Sequence, residues 1–273
     1  MKWTKDYVKE AAEDNRIIAG FNVFGHEDAM AIIKAAERAE SPVILMVNRD
    51  ARRDLQIEHW GSLLNSMAEA AKVPVGVHLD HTSDPESVKR AIKAGFSSVM
   101  FDGSKLPLEE NIKWTAELSK LAHENGIYLE GELGAVPYDD IGETKIQLTS
   151  VDEAKQMQDN TDIDWLAISV GNIHRLVGRF APIHFDVLDE IQNGCDLPFV
   201  IHGSSGITPE DMQKLKLERI GKMNLGTSLR KTFGDTLRAE MEARPEEFDR
   251  QKLMVKSVAA VEEKAYLILK SLM

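Results

Sequence analysis

Eight short apolar runs, separated by stretches patterned like helices, constrain this chain more than any other feature. They are IIAGFNV (17–23), PVILMV (42–47), VPVGVHLD (73–80), SSVMFDG (97–103), IYLEGELG (127–134), WLAISVG (165–171), PFVIHG (198–203) and IGKMNLG (220–226). Such short, largely uninterrupted runs are expected to be strands buried on both faces, as parallel strands covered by helices are. Between them lie segments such as HEDAMAIIKAAERAE (26–40), with apolar residues three and four apart. Another is SDPESVKRAIKAG (83–95), with Ser83 as N-cap, Pro85 in the first turn and Gly95 as the stop. Alternation from end to end predicts βα units joined by right-handed crossovers. An open, doubly wound sheet is the rival, but it gathers its chemistry at one switch point, whereas here suggestive residues stand at several strand ends. The expected fold is α/β, a single (β/α)8 barrel domain over residues 1–273 with additional C-terminal helices. The 273 residues, 43% of them hydrophobic, suffice for one such core, for which ~250 is typical.

Closure of these strands would bring together three histidines far apart in sequence. His81, His174 and His202 each follow closely on an apolar run, in VPVGVHLDH, DWLAISVGNIH and LPFVIHGSSG. Parallel strands all end on the same rim, and three imidazoles there with a fourth position open are the donor set of a catalytic Zn2+. One histidine alone reads as an ordinary core or surface residue; three at equivalent strand ends do not. The formal charge of −12, with no basic stretch to offset it, argues against nucleic acid and against an anionic membrane as partners. Any phosphate must be bound locally. No stretch approaches ~18 apolar residues, and MKWTKDYVKEAAEDNR lacks an apolar signal region, so neither export nor membrane insertion is expected. The single Cys195 forms no internal disulfide and reads as a bystander; a reducing cytoplasm fits best.

Other residues acquire meaning from their distance to this rim. Asp80, beside His81, could orient that ligand or exchange a proton with substrate, and both side chains reach the site only where the strand becomes irregular. His78, deeper in the same run, reads as a packing residue or a support for the site. Glu130 and Glu132 are two apart and face the same side, where they either lie near the metal or pair with Lys222; Glu132, nearer the rim, is favoured for the metal. The turns HGSSG (202–206) and NLGTS (224–228) present backbone N–H groups at helix starts, a frequent phosphate position in barrels. AVPYDDIGETKIQLT (135–149) is too long and polar for an ordinary connection and reads as a mobile flap. The last of two helical stretches split by Pro245 is longer than barrel closure requires and could pack on a partner, as in a homodimer or homotetramer.

Taken together, GFNVFGHEDAMAIIKAAE, SPVIL, VPVGVHLDH, AGFSSVMFDGS, LEGELG, ISVGNIH, LPFVIHGSSG and IGKMNLGTSL resemble the class II, metal-dependent ketose-bisphosphate aldolases, in their order and at similar spacing. The resemblance is to the branch with the tagatose-bisphosphate and short fructose-bisphosphate enzymes. It implies a TIM barrel that cleaves a phosphorylated ketose to dihydroxyacetone phosphate and an aldehyde through a zinc-stabilised enediolate. By the same resemblance His81, His174 and His202 match the zinc ligands, with Glu132 a carboxylate near the metal. Asp80 matches the acid that handles the proton of the aldehyde-side hydroxyl, and Asn224 the asparagine beside the enediolate. Gly203, Ser204 and Ser205 with Asn224, Gly226 and Thr227 match the loops that hold the phosphate, and Asn22 is placed among the substrate-binding residues. The flap acid is Asp140 or Glu143, with Asp140 preferred for standing eight residues past Glu132.

Two departures bear on the substrate. The family usually has glycine after the second zinc histidine, where this chain has Arg175, and Arg179 follows where a basic residue is often found. A guanidinium there could reshape an anion pocket or point outward. The flap is also shorter than in the tagatose branch. A sugar phosphate is expected as the small-molecule partner, and fructose or tagatose 1,6-bisphosphate, a sulfosugar phosphate or a deoxy sugar phosphate all stay open. A non-catalytic sugar-phosphate-binding subunit and a metal-dependent epimerase or isomerase are the alternatives. The intact histidines and Asp80 speak against the first, and the complete aldolase pattern against the second.

Overall fold

All eight apolar runs form strands: β1 (Ile18–Asn22), β2 (Val43–Val47), β3 (Val75–Leu79), β4 (Ser98–Phe101), β5 (Tyr128–Glu132), β6 (Trp165–Ile168), β7 (Phe199–Ile201) and β8 (Ile220–Leu225). A computed structural model describes residues 3–142 and 145–273. Every neighbouring pair is parallel, and β1 pairs with β8, with Gly20 opposite Asn224, so the sheet closes in sequence order. The open doubly wound alternative is thereby excluded. Helices α1 (Tyr7–Glu13), α2 (His26–Ala39), α3 (Ile57–Ala70), α4 (Pro85–Lys93), α5 (Leu108–Glu124), α6 (Val151–Asn160), α7 (Phe185–Gly194), α8 (Pro209–Leu215), α9 (Thr227–Ala243) and α10 (Arg250–Leu272) complete it.

Strand alternation decides which residues meet inside. On β3, Val75, Val77 and Leu79 join the core between sheet and helices, while His78 is buried inside the barrel. On β5, Leu129 joins that outer core and Glu130 and Glu132 share the inner face. The barrel floor is apolar, built from Ile18, Ile44, Met46, Met100, Trp165 and Val200 with Val8 and Ala11 of α1 beneath. Each large side chain buried this way contributes about 1.5–3 kcal/mol. Helix α1 is fixed by Asp6, which accepts from Val8 N and Lys9 N and also from Trp165 Nε1 at 3.0 Å. A bulge between β7 and β8 passes over Gly221 and sets Val200 opposite Lys222. A Cβ on Gly221 would lie 2.4 Å from the Val8 carbonyl oxygen, so the floor helix requires glycine there.

One expectation changes, and two segments are given neighbours within the chain. The N-cap of α4 is Asp84, not Ser83: its carboxylate accepts from Glu86 N and Ser87 N, with Pro85 at the first helical position. The first half of the flap is tied to the His174 loop by backbone bonds. His174 N donates to Pro137 O at 2.9 Å, Asp139 N donates to His174 O at 3.1 Å, and Ala135 pairs with Gln147. Helix α10 packs along α2 and α9, where Arg38 reaches Glu262 and Glu263, each at 2.9 Å, and leaves Val255 and Leu267 exposed. No helix among the described residues is long and apolar enough to cross a membrane.

Candidate active site

The three histidines converge at the C-terminal rim of the barrel, and backbone turns bring them there. His81 adopts φ +44°, a left-handed turn directly after Asp80 that breaks the strand alternation and lets both side chains face the site. His202 follows β7, and Gly203 after it has φ +64°; a Cβ there would lie 2.6 Å from Ile173 C, so the turn passes beneath the His174 loop only as glycine. Asn172 ties these loops, donating to His202 O at 2.8 Å and accepting from Val170 N. His174 is flanked by the flap: the Tyr138 ring stacks on it at 4.3 Å.

One nitrogen from each histidine lies within 4.8 Å of the others, and His202 Nδ1 is 2.7 Å from His81 Nε2. His81 belongs to a second group with Asp102, 3.5 Å from its Nδ1, and Glu132, 3.6 Å away. Glu130 is deeper, with Oε1 2.8 Å from His202 Nε2 and Oε2 accepting from Lys222 Nζ at 2.6 Å. The two carboxylates expected on one face thus divide, Glu130 to Lys222 and Glu132 toward the rim. His78, held at 2.9 Å from Ser98 Oγ, lies under Glu130 as a support.

The charge arrangement calls for a cation. Burial holds His174 and His202 well below the usual histidine range, so both are neutral as metal ligands must be. Burial also opposes charge on His81, but Asp80, Asp102 and Glu132 outweigh it and raise its pKa to about 10. Burial, reinforced by Asp102, pushes Glu132 well above the ordinary carboxylate value. Burial would raise Asp80 as well, yet the charges of His81 and Lys222 and the Asn22 hydrogen bond keep it low and ionised. Among the described residues, His174 Nε2, Glu132 Oε2, Asn224 Oδ1 and Ser205 Oγ are buried without hydrogen-bond partners. Two neutral imidazoles, a third surrounded by carboxylates, and unpaired donor atoms at one rim fit a divalent metal ion.

Two cavities meet at this rim. A smaller one of about 230 Å³ is lined by Asn22, Asp80, Asn224 and the Gly203–Ser205 and Gly226–Ser228 turns. A larger one of about 670 Å³ contains Asp102, Glu132, Arg49, Lys105 and Lys145. Asn48, His81, Tyr138, His174 and Arg175 line both. Asp80 stands between two amides, accepting from Asn22 Nδ2 at 2.8 Å and from Asn224 Nδ2 at 3.0 Å. Gly226 caps α9 without a side-chain bond, leaving Thr227 at the first helical position to face the cavity. Asn22, Gly203, Ser204, Ser205, Gly226 and Thr227 are therefore together, as the sequence suggested.

Arg175, Arg179 and Asp140 are placed differently. Arg175 has φ +57°, the conformation for which glycine is the ordinary residue. Its guanidinium does not point outward: Arg175 lines both cavities and donates to Asp50 and to Asp140, each at 2.6 Å. Asp140 is thereby held on Arg175 and lines neither cavity. Arg179 pairs with Asp139, is 67% exposed and also lies outside them. Glu143, the other acid considered, is outside the described residues. Sequence reasoning missed Asp102, Asn48, Tyr138, Arg230 and Lys264, of which the last two bring positive charge to the smaller cavity. Asp102 and Asn48 could have been found as polar residues just after a strand; Lys264, from the last helix, had no such signal.

Comparison with known proteins fits this geometry. The family model described as fructose-bisphosphate aldolase class-II matches residues 2–272. A protein of Alkalicoccus urumqiensis named sulfofructosephosphate aldolase is 33% identical over 248 residues, covering 89% of this chain and 86% of its own. A probable fructose-bisphosphate aldolase of Bacillus subtilis strain 168 is 34% identical, with 94% and 92% covered. The crystal structure of the YdjI aldolase from Escherichia coli K12 superposes with a TM-score of 0.85 at 30% identity, covering 97% of this chain and 95% of that one. Barrel, rim and relatives agree: the chain belongs to the class II fructose-bisphosphate aldolases and is a carbon–carbon lyase.

Proposed function

We propose that this enzyme reversibly cleaves a phosphorylated ketose into dihydroxyacetone phosphate and an aldehyde, with Zn2+ held by His81, His174 and His202 and Glu132 close by. The observation that carries the reading is Asp80, ionised and fixed between Asn22 and Asn224 beside the three converging imidazoles. Zinc would supply a Lewis acid that polarises the ketose carbonyl. Asp80 would take the proton of the C4 hydroxyl as the C3–C4 bond breaks. Asn224 would donate to the oxygen on which charge develops. Backbone N–H groups of Gly203–Ser205 and Gly226–Thr227, with Arg230 and Lys264 nearby, would hold the phosphate of the three-carbon half. The aldehyde half would extend into the larger cavity, where Arg49, Lys105 and Lys145 suit a second anion. Fructose and tagatose 1,6-bisphosphate and a sulfosugar phosphate all meet that requirement. A ketose-phosphate panel incubated with zinc-loaded enzyme should yield dihydroxyacetone phosphate and a separable aldehyde. Products with the carbon count of the substrate would instead identify an epimerase or isomerase.

Arg175 is expected to govern choice within that panel. Its replacement by glycine, which the left-handed backbone accepts, frees both Asp50 and Asp140 and makes the shared wall more negative. A charge-assisted contact is worth about 1.5–3 kcal/mol, so relative kcat/KM between phosphate and sulfonate ketoses should move by about ten- to a hundredfold in Arg175→Gly. Unchanged ratios across the panel would transfer the specificity question to Arg49, Lys105 and Lys145.

A further inference from the structure

We propose that Glu130 and Lys222 are positioning residues that set the tautomer of His202, and with it the strength of metal binding at the three imidazoles. The proposal rests on the zinc reading above. Neither residue lines either cavity, and Glu130, Lys222 and His202 are all fully buried. The nearest partners of the two ring nitrogens of His202 are unlike: Nε2 lies 2.8 Å from Glu130 Oε1 and Nδ1 2.7 Å from His81 Nε2, while Asn224 Nδ2 is farther from both, at 3.3 and 3.5 Å. An ionised carboxylate accepts and cannot donate, so it draws the single proton of a neutral imidazole to Nε2. The lone pair is then left on Nδ1, the nitrogen that faces His81.

Lys222 decides which way this arrangement can turn. Its ammonium donates to Glu130 Oε2 at 2.6 Å and compensates a carboxylate that would otherwise be isolated at this depth. An ammonium has no acceptor, so whatever occupies position 130 must turn an oxygen toward it. In Glu130→Gln the amide oxygen is claimed by Lys222, and the amide NH2 faces His202 Nε2. That nitrogen must then accept, the ring proton moves to Nδ1, and the metal-facing lone pair is lost. The variant keeps the shape of the side chain and reverses its hydrogen bonding, so packing and tautomer are separated.

Zinc affinity measured without substrate, by competition with a chromophoric chelator on the full chain, tests this. Glu130→Gln should bind zinc about 10–100-fold more weakly than the wild type, the usual scale for loss of a group that orients a ligand. In Glu130→Gln/Lys222→Met no ammonium claims the amide oxygen, which can again accept from His202 Nε2, and most of the lost affinity should return. Wild-type affinity in Glu130→Gln, or a double variant as weak as the single, overturns the proposal. Where Glu130→Gln fails to fold, the double variant decides: affinity near the wild type supports the proposal, and a tenfold or greater loss overturns it. A wild-type chain that takes up no zinc overturns the proposed function itself, a result distinct from zinc binding that is indifferent to residue 130.

Discussion

His174→Ala is expected to lose bound zinc and cleavage together, and chelation of the unaltered enzyme to abolish cleavage reversibly. His174 Nε2 is a buried ring nitrogen with no hydrogen-bond partner, and its ring is fixed by the stacked Tyr138 and by backbone bonds to the flap on both sides. Its truncation removes one of three imidazole donors while the other two stay in place. Structural zinc sites with four ligands contribute about 10–16 kcal/mol, which is roughly 3 kcal/mol per ligand and about a hundredfold in affinity for each one lost. Metal content after dialysis, with activity followed across added zinc, checks both parts: the variant should retain less metal and recover only at higher zinc. Full cleavage by a chelated, metal-free sample would point to imine chemistry at a lysine. Lys222, on β8 inside the barrel, is fully buried with its ammonium on Glu130.

The barrel was legible because strands buried on both faces leave a mark in sequence that is hard to produce otherwise. Each of the eight runs contains its strand, and most extend one to three residues past it at the rim; Gly103 and Gly134 are examples of positions outside β4 and β5. The histidine triad was legible for the same reason, being defined by position relative to those runs. The cap of α4 was not: Thr82, Ser83 and Asp84 are all capping residues in succession, and only backbone geometry selects Asp84. Docking of the flap was equally hidden, because it depends on backbone bonds between Pro137, Asp139 and His174, which carry no residue signature.

The site residues that escaped notice share a different cause. Asp102 acts beside His81 and Glu132 only because β4 lies between β3 and β5 in a closed barrel, so its meaning depends on neighbours far away in sequence. Lys264 reaches the smaller cavity because α10 folds back along α2, an arrangement its composition does not reveal. Arg175 was noticed as a departure from glycine, yet the fate of its guanidinium depended on Asp50 after β2 and Asp140 in the flap. Charge alone suggested an anion receptor; the structure adds that two carboxylates pair with it at the wall of both cavities.

Asp80→Ala is expected to separate bond cleavage from the chemistry of the three-carbon half. Asp80 does not belong to either group of possible metal ligands, and its oxygens are engaged by Asn22 and Asn224 rather than by a histidine. Truncation should therefore leave zinc content and substrate affinity largely intact. Alanine is a better probe than asparagine, whose amide would turn a donor toward one of two neighbouring donors. Loss of a positioned general acid/base costs on the order of 10²–10⁴-fold, so kcat for cleavage should fall by at least 10². Solvent exchange of the carbon-bound proton of dihydroxyacetone phosphate needs no hydroxyl proton on the aldehyde side and should survive far better. Both rates are measurable on one zinc-loaded preparation, by aldehyde release and by uptake of deuterium. Equal loss of the two, with zinc retained, would show that Asp80 serves the whole site and not the aldehyde half, and would move the search for the C4 base to Asp102 and Glu132 in the larger cavity.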